Sequence, residues 1–432
     1  MKTREIRKLL GFYENELTNN ILPFWMNRSH DSINGGFFNC FDNTGETLMS
    51  HDKYMWSQGR FVWLWSKLES MDCGTFTKQQ RNCFLDYARS GREFLIRHCL
   101  MGENDWRCVF LTDEAGTPKY VDGYTRFDMS IYVDMFVIAA LGKFAEVTGD
   151  KETYHFGKKL YESVLNRVNQ NDHQTLPYPL SKAYKSHGIP MILSNVTKEL
   201  YSAARMFDVE YCKVLEANLD GFVTEILTNF VDENYVLHEI ILSNNHFFDE
   251  FLGQHANPGH TFEDAWFMVD AVDILGRCDY IPKISAITKR AFNIGWDKKY
   301  GGLLHMCSVN GGAPTGNLGK SRNEPMLKQT SEDWYYKLWW VHSEALYASL
   351  LLYDRTHDME FLTWHQKVFD YTFSMFPNPD RENREWLQIL TREGKSQQKV
   401  VALPVKDPYH ISRNLILLIE LLYKMLDDSK AC

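Results

Sequence analysis

The chain has 432 residues, of which 44% are apolar, 24% charged and 14% aromatic, with 12 Trp, 22 Tyr and 27 Phe. This is the composition of a folded globular protein and excludes a disordered or collagen-like chain. A formal charge of −9 without a long Lys/Arg run argues against nucleic acid as the main partner.

The N-terminus, MKTREIRKLLGFYENEL, carries charges throughout and has no apolar stretch followed by a cleavage site, so no secretion signal is expected. No apolar run reaches the roughly 18–20 residues that cross a bilayer. The richest, Asn414 to Tyr423, contains Glu420. Nine scattered cysteines make no CxxC pair and read as free thiols of a reducing cytoplasm.

Six apolar-rich helical stretches follow one another along the chain. They begin near Trp56, Phe127, Ile189, Pro258, Trp339 and Pro408, with equivalent points at Arg60, Ser130, Met191, His260, His342 and His410. The spacing, roughly 70 residues, holds two helices and their loops. Between them lie amphipathic segments at Gln79–His98, Lys151–Asn169, Lys198–Leu227, Ile281–Phe292 and Thr363–Met375, with apolar residues three and four apart. A helix apolar all round is buried, and an amphipathic one faces water. The pattern predicts an all-α ring, an (α/α)6 barrel of six inner and six outer helices, as one domain over residues 1–432. Two Gly-rich stretches, from Gly35 and from Gly301, read as short hairpins decorating one end.

Two of the inner helices start alike. Asn257-Pro-Gly-His260 and Asp407-Pro-Tyr-His410 each combine an N-capping residue with Pro at the first helical position, which places both histidines in a first turn. The partial positive charge at a helix N-terminus disfavours imidazolium, leaving a neutral imidazole able to take a proton. In a ring of parallel inner helices both would open at one mouth, with room for a small substrate between them. Arg60, early in the first inner helix behind Trp56, is suited to stabilising negative charge on a substrate oxygen. Glu263, one turn after His260, is placed to polarise that imidazole or hold a hydroxyl. Lys337, Trp339, Trp340, His342 and Glu344 in KLWWVHSE combine rings with charges, as a sugar site requires.

Other chemistries find little support. There is no HExxH, and His260-x-x-Glu263 lacks a third ligand, so no metal is expected. Neither GxGxxG nor GxSxG is present. The run from Gly312 to Lys320-Ser321 departs from a P-loop because Pro314 stands where the first Gly belongs.

Several segments resemble the N-acylglucosamine 2-epimerases and their relatives, the cellobiose 2-epimerases and the mannose and sulfoquinovose isomerases. They are residues 22–46, KYMWSQGRFVWLWSKL (53–68), NPGHTFEDAWF (257–267), GWDKKYGGLLH (295–305), KLWWVHSEAL (337–346) and YHISR (409–413). The resemblance implies an (α/α)6 barrel and assigns the catalytic pair to His260 and His410, the substrate-holding arginine to Arg60 and the acid to Glu263. Trp56, Asn195, Lys337, Trp339, Trp340, His342, Glu344 and Arg413 are the expected substrate-binding residues. On the third inner helix, Ile189 to Asn195 lacks the His-containing NxHxH-like stretch of the cellobiose epimerases and isomerases, and looks like the N-acylglucosamine version. Interconversion of N-acetyl-D-glucosamine and N-acetyl-D-mannosamine is therefore expected. The alternatives are an aldose–ketose isomerase of mannose-type sugars or another sugar 2-epimerase. No cofactor is expected to be required. Several family members use ATP as an allosteric effector, but the sequence locates no nucleotide site. A homodimer is the expected assembly.

Overall fold

The computed structural model describes residues 1–380 and 382–431. Its helices, in chain order, are α1 (Thr3–Asn15), α2 (Leu22–Arg28), α3 (Met55–Ser70), α4 (Lys78–His98), α5 (Ile131–Thr148), α6 (Lys151–Asn169), α7 (Gly188–Phe207) and α8 (Val209–Glu225). They continue with α9 (Pro258–Leu275), α10 (Ile281–Gly295), α11 (Pro325–Asp333), α12 (Trp339–Thr356), α13 (Met359–Met375) and α14 (Tyr409–Ala431).

Six of these form a closed inner ring. Helix α3 packs on α5, α5 on α7, α7 on α9, α9 on α12, α12 on α14, and α14 returns to α3. Their sequences explain the burial. In α5 every residue from Ile131 to Ala145 is buried, and in α12 every residue from Trp339 to Tyr353, because no side of these helices lacks apolar residues. The outer helices have one apolar stripe and lie against their own inner partners: α4 on α3, α6 on α5, α8 on α7, α10 on α9 and α13 on α12. Side-chain caps mark where these outer helices begin. Thr77 accepts from Gln80, Asp150 from Thr153, Asp208 from Tyr211 and Asp358 from Glu360.

The sixth outer helix is α1, which packs on α14. The start of the chain therefore completes the repeat begun at its end. The third outer helix starts at Val209, and Lys198 belongs to α7. The second inner helix starts at Ile131, four residues after Phe127.

Each inner helix is led in by a few extended residues, and each lead-in is bonded to the segment that follows the same repeat's outer helix. Residues 53–54 pair with 111–112, 184–186 with 240–242, 255–256 with 307–308, and 337–338 with 389–390, all antiparallel. Ser130 bridges Thr175, and Lys406 N–H donates to the Asn39 carbonyl at 2.8 Å. One of the two expected hairpins forms, joining Cys40–Phe41 to Leu48–Ser50. The stretch from Gly301 forms no paired hairpin, closing a tight turn at its end where Ser308 N–H donates to the Gly312 carbonyl at 3.0 Å. Its strand, Cys307–Ser308, pairs instead with the lead-in to α9, because that lead-in offers the unpaired backbone.

The two Gly-rich stretches share a different device. Asp31 and Asp297 each start a tight turn, accepting on Oδ1 from the backbone N–H groups two and three residues on. The turns close at Gly35-Gly36 and Gly301-Gly302, with φ of +73° at Gly36 and +70° at Gly302, a conformation open to glycine. A buried lysine then clamps each turn: Lys53 Nζ is 2.7 Å from Asp31 Oδ2, and Lys337 Nζ is 3.1 Å from Asp297 Oδ2. Both lysines lie two residues before an inner helix, so each clamp ties a turn to the following repeat.

The eight described cysteines are free thiols, and Cys432 lies outside the described residues. Among the described residues no helix is long and apolar enough to cross a membrane.

Candidate active site

A cavity of about 1370 Å³, counting the solvent at its mouth, opens at one end of the ring. The first two turns of all six inner helices reach it: Trp56 and Arg60 of α3, Tyr132 and Phe136 of α5, Met191 and Ile192 of α7, His260 and Glu263 of α9, Trp339 and Trp340 of α12, and His410 of α14. The inner helices thus point their N-terminal ends at one volume.

The helix-start reading of the two histidines is seen directly. Asn257 Oδ1 accepts from His260 N–H at 3.2 Å, and Asp407 Oδ2 from His410 N–H at 2.9 Å. Trp340, on the inner helix between them, touches both imidazoles, its ring centroid being 5.2 Å from that of His260 and 5.6 Å from that of His410. The two imidazoles are therefore no farther apart than the total of these distances.

Each Nδ1 is held by a buried carboxylate. His260 Nδ1 lies 3.0 Å from both oxygens of Glu239, and His410 Nδ1 lies 2.7 Å from Glu344 Oε1. A carboxylate accepts only, so each Nδ1 carries the proton and each Nε2 is left for the cavity. Burial works against charge on these acids, but their partners prevail. His260 and His187 hold Glu239 well below the usual carboxylate range, and Arg413 and His410 do the same for Glu344.

Arg60 lies on the cavity wall with its guanidinium among rings, 4.3 Å from the centroid of Phe136 and 5.1 Å from that of Tyr409. Its Nη1 is 3.2 Å from Asp407 Oδ1. The other oxygen of Asp407 takes His410 N–H and, at 3.1 Å, Trp339 Nε1–H. One buried carboxylate thus positions three wall residues.

Glu263 lines the cavity, but it bonds Arg413 and not His260. Its place one turn after His260 aims it toward α14, and the polarising acid of His260 is Glu239. Five expected substrate-binding residues sit behind the wall. Lys337 is buried in its Asp297 clamp. His342 is buried one turn below Trp339, accepting Leu303 N–H at 2.9 Å and donating to the Leu338 carbonyl. Glu344 and Arg413 are buried against each other. Asn195 is buried on α7, beyond the turn whose Met191 and Ile192 reach the cavity. None of the five is among the residues that line the cavity.

Glu239 and His187 carry no signal in the sequence, because one lies in the segment after α8 and the other at the foot of α7, and only tertiary contacts bring them together behind His260. Two groups, His187–Glu239–His260 and Glu263–Glu344–His410, have donor atoms within 4.8 Å of one another. In the second, the Arg413 guanidinium bonds both carboxylates, so a cation already neutralises them. In the first, Asp264 engages His187 at 2.8 Å. Both are buried ion-pair networks, in which His187 Nδ1, Asp264 Oδ1 and Arg413 Nε and Nη1 make no hydrogen bond. At the P-loop-like run, Glu250 accepts from Lys320 and Ser321 N–H at 3.0 and 2.9 Å, so a protein carboxylate fills the place a phosphate would take.

Residues 36–413 match the N-acylglucosamine 2-epimerase family. The chain belongs to that family. The mouse (Mus musculus) N-acylglucosamine 2-epimerase is 29% identical over 411 residues, covering 94% of this chain and 90% of that one. A cellobiose 2-epimerase from Ruminococcus albus is 24% identical over 92% of this chain and 95% of its own length. Among solved structures, the cellobiose 2-epimerase of Bacillus thermoamylovorans superposes with a TM-score of 0.75 at 19% identity, over 96% of this chain and 99% of that one. These likenesses agree with the (α/α)6 ring traced above.

Proposed function

We propose that this family member is a carbohydrate epimerase that interconverts N-acetyl-D-glucosamine and N-acetyl-D-mannosamine by proton transfer at C2. The observation that carries the reading is the pair of imidazoles on one cavity, both packed on Trp340, each with Nδ1 fixed by a carboxylate and Nε2 free.

The chemistry follows from that arrangement. The sugar opens to expose the C1 aldehyde, which makes the C2 hydrogen acidic. The Nε2 of one histidine takes the C2 proton, and the electrons delocalise onto the carbonyl oxygen as an enolate, which Arg60 is placed to stabilise. The Nε2 of the other histidine delivers a proton from the opposite face, and C2 is inverted. Behind each imidazole the carboxylate stabilises the cation formed during transfer and fixes the tautomer that accepts the proton. Trp339 and Trp340 offer ring faces for the sugar, and Met191 and Ile192 of the third repeat, with Met326 of α11, give the acyl group an apolar wall.

Proton NMR in D2O tests this. Incubation with N-acetylmannosamine is expected to give deuterium at C2 and both epimers. Turnover of mannose to a ketose, without exchange on the N-acetylated sugar, would refute it.

A further inference from the structure

Each of the two imidazoles heads a buried chain in which acids and a cation alternate. From His410 the chain runs through Glu344 to Arg413 and ends at Glu263. From His260 it runs through Glu239 to His187 and ends at Asp264, with His187 Nδ1 3.9 Å from Glu239 Oε2 and Nε2 2.8 Å from Asp264 Oδ2. Both chains finish on neighbouring residues of α9. The place held by Arg413 in one is held by His187 in the other.

We propose that His187 is a positioning residue for proton transfer at C2: its imidazolium, lodged between Asp264 and Glu239, holds the Glu239 carboxylate against Nδ1 of His260, as Arg413 holds Glu344 against Nδ1 of His410. The proposal rests on the epimerase reading above, since it assigns His187 a part in one of the two transfers. His187 is fully buried and does not reach the cavity, although its neighbours Ser186 and Gly188 do. Its backbone N–H donates to the Glu239 carbonyl at 2.9 Å, so the main chain hydrogen-bonds the residue whose carboxylate the ring faces at 3.9 Å, beyond hydrogen-bond length.

The groups facing His187 account for its charge. Asp264 faces it from α9 and Glu239 from the segment leading into 240–242, with Phe230 against its ring, while His260 of α9, His255 of the α9 lead-in and Tyr132 of α5 act on Glu239. Burial opposes protonation, but Asp264 and Glu239 outweigh it and raise the pKa of His187 to about 9. Burial lowers the pKa of His255 and raises that of Tyr132, so both of these are neutral near pH 7. Two carboxylates around one imidazole leave a surplus negative charge for His260 to meet. The two transfers are thus backed by unlike cations, one permanent and one titratable.

The test uses His187→Gln in the full-length chain, with N-acetylglucosamine and N-acetylmannosamine carrying deuterium at C2. The fixed equilibrium between the epimers requires kcat/KM to fall equally in both directions, by about tenfold or more, as when other imidazole-orienting partners are removed. The primary isotope effect is expected to rise from one epimer only, the one whose proton His260 removes. That epimer is identified independently as the one that keeps C2 exchange in His410→Asn. Isotope effects that stay unchanged, or rise equally from both epimers, would overturn the proposal. Should His187→Gln fail to fold, Asp264→Asn carries the same test, because it removes the acid on Nε2. In the unaltered protein, 15N NMR is expected to show the His187 ring doubly protonated at pH 8, and a neutral ring there would also overturn it. Absence of any C2 exchange by the unaltered protein is a different failure, that of the epimerase reading, and takes the positioning role with it.

Discussion

Asp407 and Arg60 lie 3.2 Å apart across the seam where the last inner helix meets the first. The same carboxylate caps α14 beneath His410. Asp407→Ala removes both contacts. Loss of an N-cap costs about 0.5–2 kcal/mol, so urea denaturation should show a loss of that order. The freed Arg60 should weaken kcat/KM beyond what stability explains, which steady-state kinetics on the folded variant would reveal.

The paired imidazoles make a prediction that single-base mechanisms do not. His260→Asn and His410→Asn should each lower epimerisation by about 10²–10⁴-fold, the usual range for general acid–base groups. Each variant should retain C2 exchange with one epimer, and the two variants should retain it with opposite epimers. NMR in D2O reads both quantities. Exchange retained with the same epimer in both variants would contradict the assignment.

Glu344 is a stability residue as well as a partner of His410. It accepts from Trp266 Nε1–H at 2.8 Å and Asn414 Nδ2–H at 2.8 Å and pairs with Arg413. Glu344→Gln leaves the fully buried Arg413 with Glu263 as its remaining acid. Breaking a buried pair in this way costs about 3–5 kcal/mol, so the thermal midpoint should fall by many degrees. The retained fold should turn over slowly, because an amide can present its N–H to His410 Nδ1 and upset the tautomer.

Close helix contact sets another prediction. A Cβ added at Gly59 would lie 2.7 Å from the Phe136 carbonyl oxygen, where α3 crosses α5. Backbone on both sides prevents easy relief. Gly59→Ala should destabilise by about 1–3 kcal/mol, the usual cost of overpacking, despite alanine's better helix propensity. Because Arg60 follows directly, kcat/KM should fall too.

Stability should decline at both pH extremes for identifiable reasons. Glu344 and Glu239 have lowered pKa values in the fold. Their contribution is complete above the ordinary glutamate value of about 4.3 and is lost as pH falls through the lowered values. His187 has a raised pKa of about 9. Its contribution is complete below the ordinary histidine value of about 6.5 and is lost as pH rises toward 9. Urea midpoints measured from pH 3 to pH 10 should trace both limbs, and His187→Gln should flatten the alkaline one.

The repeat, the burial of its six apolar helices and the first-turn places of His260 and His410 are legible in the amino-acid sequence. Those follow from local rules: apolar residues all round a helix, and an Asn or Asp cap followed by Pro. The place of Arg60 early on the first inner helix is legible there too. Only the tertiary structure decided that α1 closes the ring on α14, because an N-terminal outer helix carries no mark of which inner helix it covers. Likewise, the acids behind the two imidazoles come from elsewhere in the ring. Glu239 reaches His260 from the segment after α8 and Glu344 reaches His410 from the neighbouring helix, while Glu263, the acid nearest His260 in the helix, turns to Arg413. Charge partners are chosen by proximity in three dimensions, and a helical spacing fixes proximity only along its own helix.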